Sequence, residues 1–175
     1  AVLGYFYSAY DLDSGISLLN KGANRYLING MTMRAANAYW FKGLVYELEN
    51  ELDSALTAYN KSVLISKVGN HYDELANAYF SMAAIQNLRG KNVLALDYSF
   101  KAKDAFEKVG MIMEIGQTLN QIGIIYDQQG LYSEALDSYL RALDISIETG
   151  DIDGEILISN NLGVIYDNMN NPEKA

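Results

Sequence analysis

Apolar residues along this chain recur with helical spacing. Between Gln117 and Gln128, Leu119, Ile122 and Tyr126 fall at i, i+3 and i+7, and in the next segment Leu136, Tyr139, Leu140 and Leu143 do likewise. Such spacing places them on one face of an amphipathic helix. The breaks between segments are regular too. Positions 30, 50, 70, 90, 110, 130, 150 and 170 hold Gly30, Asn50, Asn70, Gly90, Gly110, Gly130, Gly150 and Asn170. Gly and Asn are the residues that most readily take the left-handed conformation ending a helix. The pattern predicts helices of about 14 to 16 residues, joined by short turns into antiparallel hairpins.

Two helices make one period of forty. Gly43, Ala83, Gly123 and Gly163 keep that step, as do Ala55, Ala95, Ala135 and Ala175, and Ser62, Ala102 and Ala142. Tyr46, Tyr126 and Tyr166 follow it, with Gln86 the exception. Helices cross at close range only where small side chains meet. Gly123 with Ala135 and Ala142, and Gly43 with Ala55 and Ser62, are the expected contacts. Complete repeats are expected at 31–70, 71–110 and 111–150, with partial ones at 1–30 and 151–175. Leu3 to Tyr7 reads as the tail of a first helix, and Asn171 to Ala175 as the start of a second. The opening AVLGYFY, with neither Met nor a signal-like pattern, reads as part of a longer chain.

A small residue, a Tyr three on, and Ala twelve and nineteen on resemble the tetratricopeptide repeat. Gly123-Ile-Ile-Tyr126 with Tyr132-Ser-Glu-Ala135-Leu136 is close to its wording, as is Gly163-Val-Ile-Tyr166 with Asn171-Pro172-Glu-Lys-Ala175. The period of forty is similar to the variant in kinesin light chain and bacterial signalling proteins. Ala83, Gln86 and Ser99 depart from the pattern locally. The resemblance implies an all-α fold, a right-handed α-solenoid of antiparallel helix hairpins, used as a protein-interaction module.

On each first helix, positions i, i+3, i+7 and i+10 share a face separate from the packed one. They read Asn37, Trp40, Leu44, Glu47; Asn77, Phe80, Ala84, Asn87; Gln117, Asn120, Ile124, Asp127; and Leu157, Asn160, Val164, Asp167. The resemblance implies that this face lines a concave groove holding an extended peptide. An amide both donates and accepts, so a row of Asn suits a peptide backbone of any sequence; plain solvation is the other reading. Trp40 and Phe80 are candidate apolar anchors, or else they pack on a neighbouring repeat.

Composition narrows the partner. Residues 1–110 carry eleven acidic and eleven basic side chains, whereas residues 111–175 carry eleven acidic against Arg141 and Lys174, and so hold the whole net charge of −9. That repels phosphate backbones, which excludes nucleic acid and anionic membrane as natural partners. A protein or peptide with basic and apolar residues fits better. The features that carry a C-terminal carboxylate clamp in such repeats are absent, since Trp40, Leu44, Phe80, Ala84 and Ile124 stand where Lys and Asn would. No apolar run approaches the roughly 18 to 20 residues of a membrane span. The compartment stays open, with the cytoplasm favoured.

Catalytic chemistry finds little material, and neither an enzyme activity nor a cofactor is expected. There are no cysteines, which excludes disulfides and thiolate metal sites. His71, the single histidine, falls in a turn and reads as solvated. Asp151-Ile-Asp153-Gly154-Glu155 faintly resembles a calcium loop, but acidic residues opening a helix explain it. No phosphate loop, Gly-x-Ser-x-Gly or His-Glu-x-x-His sequence occurs. Beside peptide binding stand two alternatives: a ligand-sensing region of a bacterial signalling protein, and a scaffold that self-associates end to end.

Overall fold

The computed structural model describes residues 12–169. Leu3 to Tyr7, Asn170 and Asn171 to Ala175 lie outside them. Eight α-helices and no strands occur among the described residues: α1 Leu12–Ile28, α2 Thr32–Leu48, α3 Leu52–Gly69, α4 Tyr72–Leu88, α5 Asn92–Val109, α6 Ile112–Asp127, α7 Tyr132–Thr149 and α8 Ile152–Met169. They run 16 to 18 residues, a little longer than the spacing of stops suggests.

The stops do what their chemistry allows. Gly30, Asn50, Asn70, Gly90, Gly110, Gly130 and Gly150 all have φ between 54° and 71°. After each, the next amide donates to the carbonyl five residues back, as in Met31 N to Tyr26 O at 2.8 Å and Leu131 N to Tyr126 O at 3.0 Å. This closure satisfies carbonyls that a helix end leaves open and reverses the chain within a few residues.

The chain forms two compact units, one ending at Ile85 and one beginning at Gln86. In the first, α2 packs against both α1 and α3; in the second, α6 packs against α5, α7 and α8, and α7 against α8. Each unit is thus built of helical hairpins of the solenoid type. Their cores alternate small and large side chains. Ala35, Ala38, Ala55 and Ala58 are buried with Tyr59 and Val45 in the first unit. Ala135 and Ala142 accompany Tyr139, Ile122 and Ile125 in the second. The buried stripe of α7 is Ala135, Ser138, Tyr139, Ala142 and Ser146. Leu140, expected on it, is 41% exposed. Tyr126 is only half-buried.

Candidate functional site

The atoms nearest to a side chain at Gly43 or Gly123 belong to aromatic rings sixteen residues on. A Cβ at Gly123 would lie 2.6 Å from Cε1 of Tyr139, and one at Gly43 would run into the Tyr59 ring. Tyr59 is fully buried, and its hydroxyl donates to Oε2 of Glu47 at 2.7 Å. Burial and the nearby Asp127 carboxylate push the Tyr139 hydroxyl well above its ordinary pKa. Glycine, ring and acid therefore form one set in the α2–α3 hairpin and again in the α6–α7 hairpin. At the same register the second repeat carries Ala83, Ser99 and Asn87, so all three positions change together. Ser99 Oγ there donates to Oε1 of Gln121 at 3.1 Å.

A second set ties first helices at an offset of forty-one, α2 to α4 in the first unit and α6 to α8 in the second. Trp40 Nε1 donates to Ser81 Oγ at 3.1 Å, and Asn161 Nδ2 donates to Asn120 Oδ1 at 2.9 Å. Asp127 accepts a side-chain hydrogen bond from Asn168, while burial raises its pKa. These contacts engage a polar group at four of the positions expected on the open face. Glu47 accepts from the Tyr59 hydroxyl, and Asn120, 8% exposed, accepts from Asn161. Trp40 is half-buried with its donor engaged, and Asp127 is half-buried and bonded. Asn120→Ala is therefore expected to cost about 1 kcal/mol of stability, whereas Asn160→Ala, on an exposed position, should stay within about 0.5 kcal/mol. Urea midpoints of the two variants check this.

The remaining positions stay accessible. In the first unit Asn37, Leu44, Asn77 and Phe80 are half-buried; in the second, Asn87 and Ile124 are half-buried and Gln117, Leu157, Asn160, Val164 and Asp167 exposed. The side-chain carbonyl of Asn87 is buried without a hydrogen-bond partner. Trp40 and the adjacent Phe41 stand with ring centroids 5.1 Å apart at 60°.

The sequence pattern gives no sign of two further joints. His71 is not a solvated loop residue: it is half-buried at the start of α4, with Nε2 in a 2.8 Å hydrogen bond to Thr32 Oγ1. Its ring occupies the space a side chain on Gly69 would need. Beside it Glu74, 8% exposed, is bonded to Asp73. Burial, with the Asp73 carboxylate alongside, raises its pKa to about 8. Asp151, by contrast, behaves as a helix opener, its Oδ1 accepting from Gly154 N at 3.0 Å. Among the described residues no helix is long and apolar enough to cross a membrane.

Two family models, both described as tetratricopeptide repeat, match residues 36–68 and 114–175. The chain belongs to the tetratricopeptide repeat family. Repeats of this family are in general non-catalytic scaffolds for protein–protein interaction, and this chain is an interaction module in that general sense. Solved tetratricopeptide-like structures share the fold. The apo form of RapI superposes with a TM-score of 0.82 at 17% identity, over 95% of this chain and 48% of its own. BtubC (BKLC) from P. vanneervenii gives 0.74 at 21% identity, over 82% of this chain and 60% of its own. A putative kinesin light chain with nearly identical repeats, from Podosopora anserina, gives 0.72 at 11% identity over 98% of this chain and 86% of its own. This tetratricopeptide chain thus spans only about half to three-fifths of the RapI and BtubC chains. No curated protein sequence matches it.

Proposed function

We propose that the module holds an extended partner segment against the first helices, and that it carries no catalysis of its own. The observation behind this is the pair Asn37 and Asn77. They occupy one register position on α2 and α4, both half-exposed, and neither side chain has a hydrogen-bond partner among the described residues. Each amide can pair with both the N–H and the C=O of a peptide unit. Neighbouring helices stand about 8–10 Å apart, which is about three residues of extended chain. One amide would then engage every third residue or so, with Trp40, Leu44 and Phe80 taking apolar side chains between. In the second unit Gln117, Asn87, Asn160 and Asp167 play the equivalent part, and its excess of carboxylates selects Lys or Arg.

The test is a selection of random extended peptides on the wild-type protein, followed by fluorescence anisotropy on variants. Peptides combining apolar with basic residues should emerge. Asn37→Ala with Asn77→Ala should weaken them at least about ten-fold, since each amide gives up two hydrogen bonds of about 0.5–1.5 kcal/mol, with the thermal midpoint unmoved. If the double variant binds like wild type, the amides are not the readers.

A further inference from the structure

A cavity of about 250 Å³ opens between α2 and α3, lined by Lys42 and Tyr46 from the first and by Asp53, Ser54, Thr57 and Lys61 from the second. It lies on a different face of α2 from Asn37, Trp40 and Leu44, because Lys42 is two residues from both Trp40 and Leu44, more than a third of a helical turn's rotation away from either. Both ammonium groups are held in place. Lys42 Nζ donates to Asn20 Oδ1 of α1 at 2.8 Å and stands 5.5 Å from the Tyr46 ring centroid. Lys61 Nζ stands 5.4 Å from that of Tyr39. Rings and an amide fix both cations without an ion pair, and Asp53 supplies the one carboxylate among the lining residues.

Neither lysine forms an ion pair among the described residues, although the chain as a whole is strongly acidic. Lys42 feels chiefly its own burial and next the charge of Lys61, both of which lower its pKa. Two ammonium groups that repel each other across a cleft are relieved by an anion placed between them. The Ser54 hydroxyl can donate to such an anion. Thr57 Oγ1, which already donates to Asp53 O at 2.9 Å, cannot at the same time.

We propose that this cleft binds the oxyanion group, phosphate or carboxylate, of a small soluble molecule between Lys42 and Lys61. The site is independent of the peptide-binding face. The experiment is an amide-resolved NMR titration of the whole chain with sodium phosphate and, separately, sodium acetate, at constant ionic strength set by sodium chloride. Saturable shifts at Tyr46, Ser54, Thr57 and Lys61 with one anion support the site and tell which chemistry it takes. Lys61→Gln, an exposed position that leaves the fold intact, should weaken that binding about ten-fold, the scale of one charged hydrogen bond. Lys42→Gln should do the same, and Asn37→Ala with Asn77→Ala should leave it unchanged. Absence of saturation with both anions, or an unaltered response in Lys61→Gln, overturns the proposal.

Discussion

Replacing Gly123 with leucine is expected to unfold the hairpin of α6 and α7 by removing at least about 3 kcal/mol, the upper end of overpacking costs in a close-packed core. A Cβ alone would meet Cε1, Cδ1 and Cζ of Tyr139 at 2.6 to 3.0 Å. The ring cannot retreat, because it is 1% exposed and lies beside Ala135 and Ala142 on its own helix, both fully buried. A loss of that size is a large part of the total stability of about 5–15 kcal/mol of a typical domain. Urea unfolding followed by circular dichroism measures it. The sharper form is a double-mutant cycle with milder changes. Gly123→Ala should cost about 1–3 kcal/mol and Tyr139→Ser about 3–4 kcal/mol. The second repeat already pairs Ala83 with Ser99 at these register positions, so the double variant should be more stable than the sum of the two by at least about 1 kcal/mol. Strict additivity would show that the glycine and the ring are not coupled.

Glu74→Gln should stabilise the protein in mild base and leave it unchanged in acid. Glu74 sits almost out of water at the opening of α4, with one carboxyl oxygen lacking a hydrogen-bond partner, and it donates its proton to Asp73. Its folded-state pKa, about 8 against an ordinary 4.5, lies above its value in the unfolded chain. The folded protein therefore holds a proton that the unfolded chain has released. The corresponding stability is complete below about pH 4.5 and is lost as pH rises through about 8. Every tenfold difference in proton affinity between folded and unfolded chain is worth about 1.4 kcal/mol, which sets a ceiling of about 5 kcal/mol. A gain of about 1–3 kcal/mol at about pH 8.5 is expected, the scale of relieving a buried, poorly paired carboxyl group. Asp73 acts in the opposite sense. Its pKa is lowered, first by the hydrogen bond from Glu74 and also by His71, so its contribution is present above the ordinary aspartate pKa and lost in stronger acid. Thermal midpoints of wild type and Glu74→Gln, followed from acid to mild base, test the pair. Parallel curves would mean that Glu74 is ionised in the folded state.

The helix ends were legible because they are local. A residue at φ near 60° needs Gly or Asn whatever surrounds it, and seven of the eight such positions are described and behave so. The family was legible for a related reason, since small residues at a fixed step survive only where helices cross. Periodicity reports which face a residue is on, but not which atom stands opposite. So the small residue at Gly123 could be placed at a contact while its partner, Tyr139, could not. The same gap explains Glu47 and Asn120. A polar residue on an outward face looks free until a hydroxyl twelve residues on, or an amide forty-one residues on, is seen to take it up. The offset of forty-one had a faint signal in the sequence, because Asn120 and Asn161, Asp127 and Asn168, and Trp40 and Ser81 are all polar-capable pairs. The burial of Glu74 had none.

A handful of residues suffices for every reversal of the chain between Leu12 and Met169, and each reversal is closed by its own backbone bond. Proteases nick exposed, extended loop tips, and no turn among the described residues offers one. Cleavage between Leu12 and Met169 must then wait until a helix hairpin opens. The rate at which a trace of protease nicks the native protein becomes a reading of how often each hairpin comes apart, and the position of the first cut identifies the weakest one.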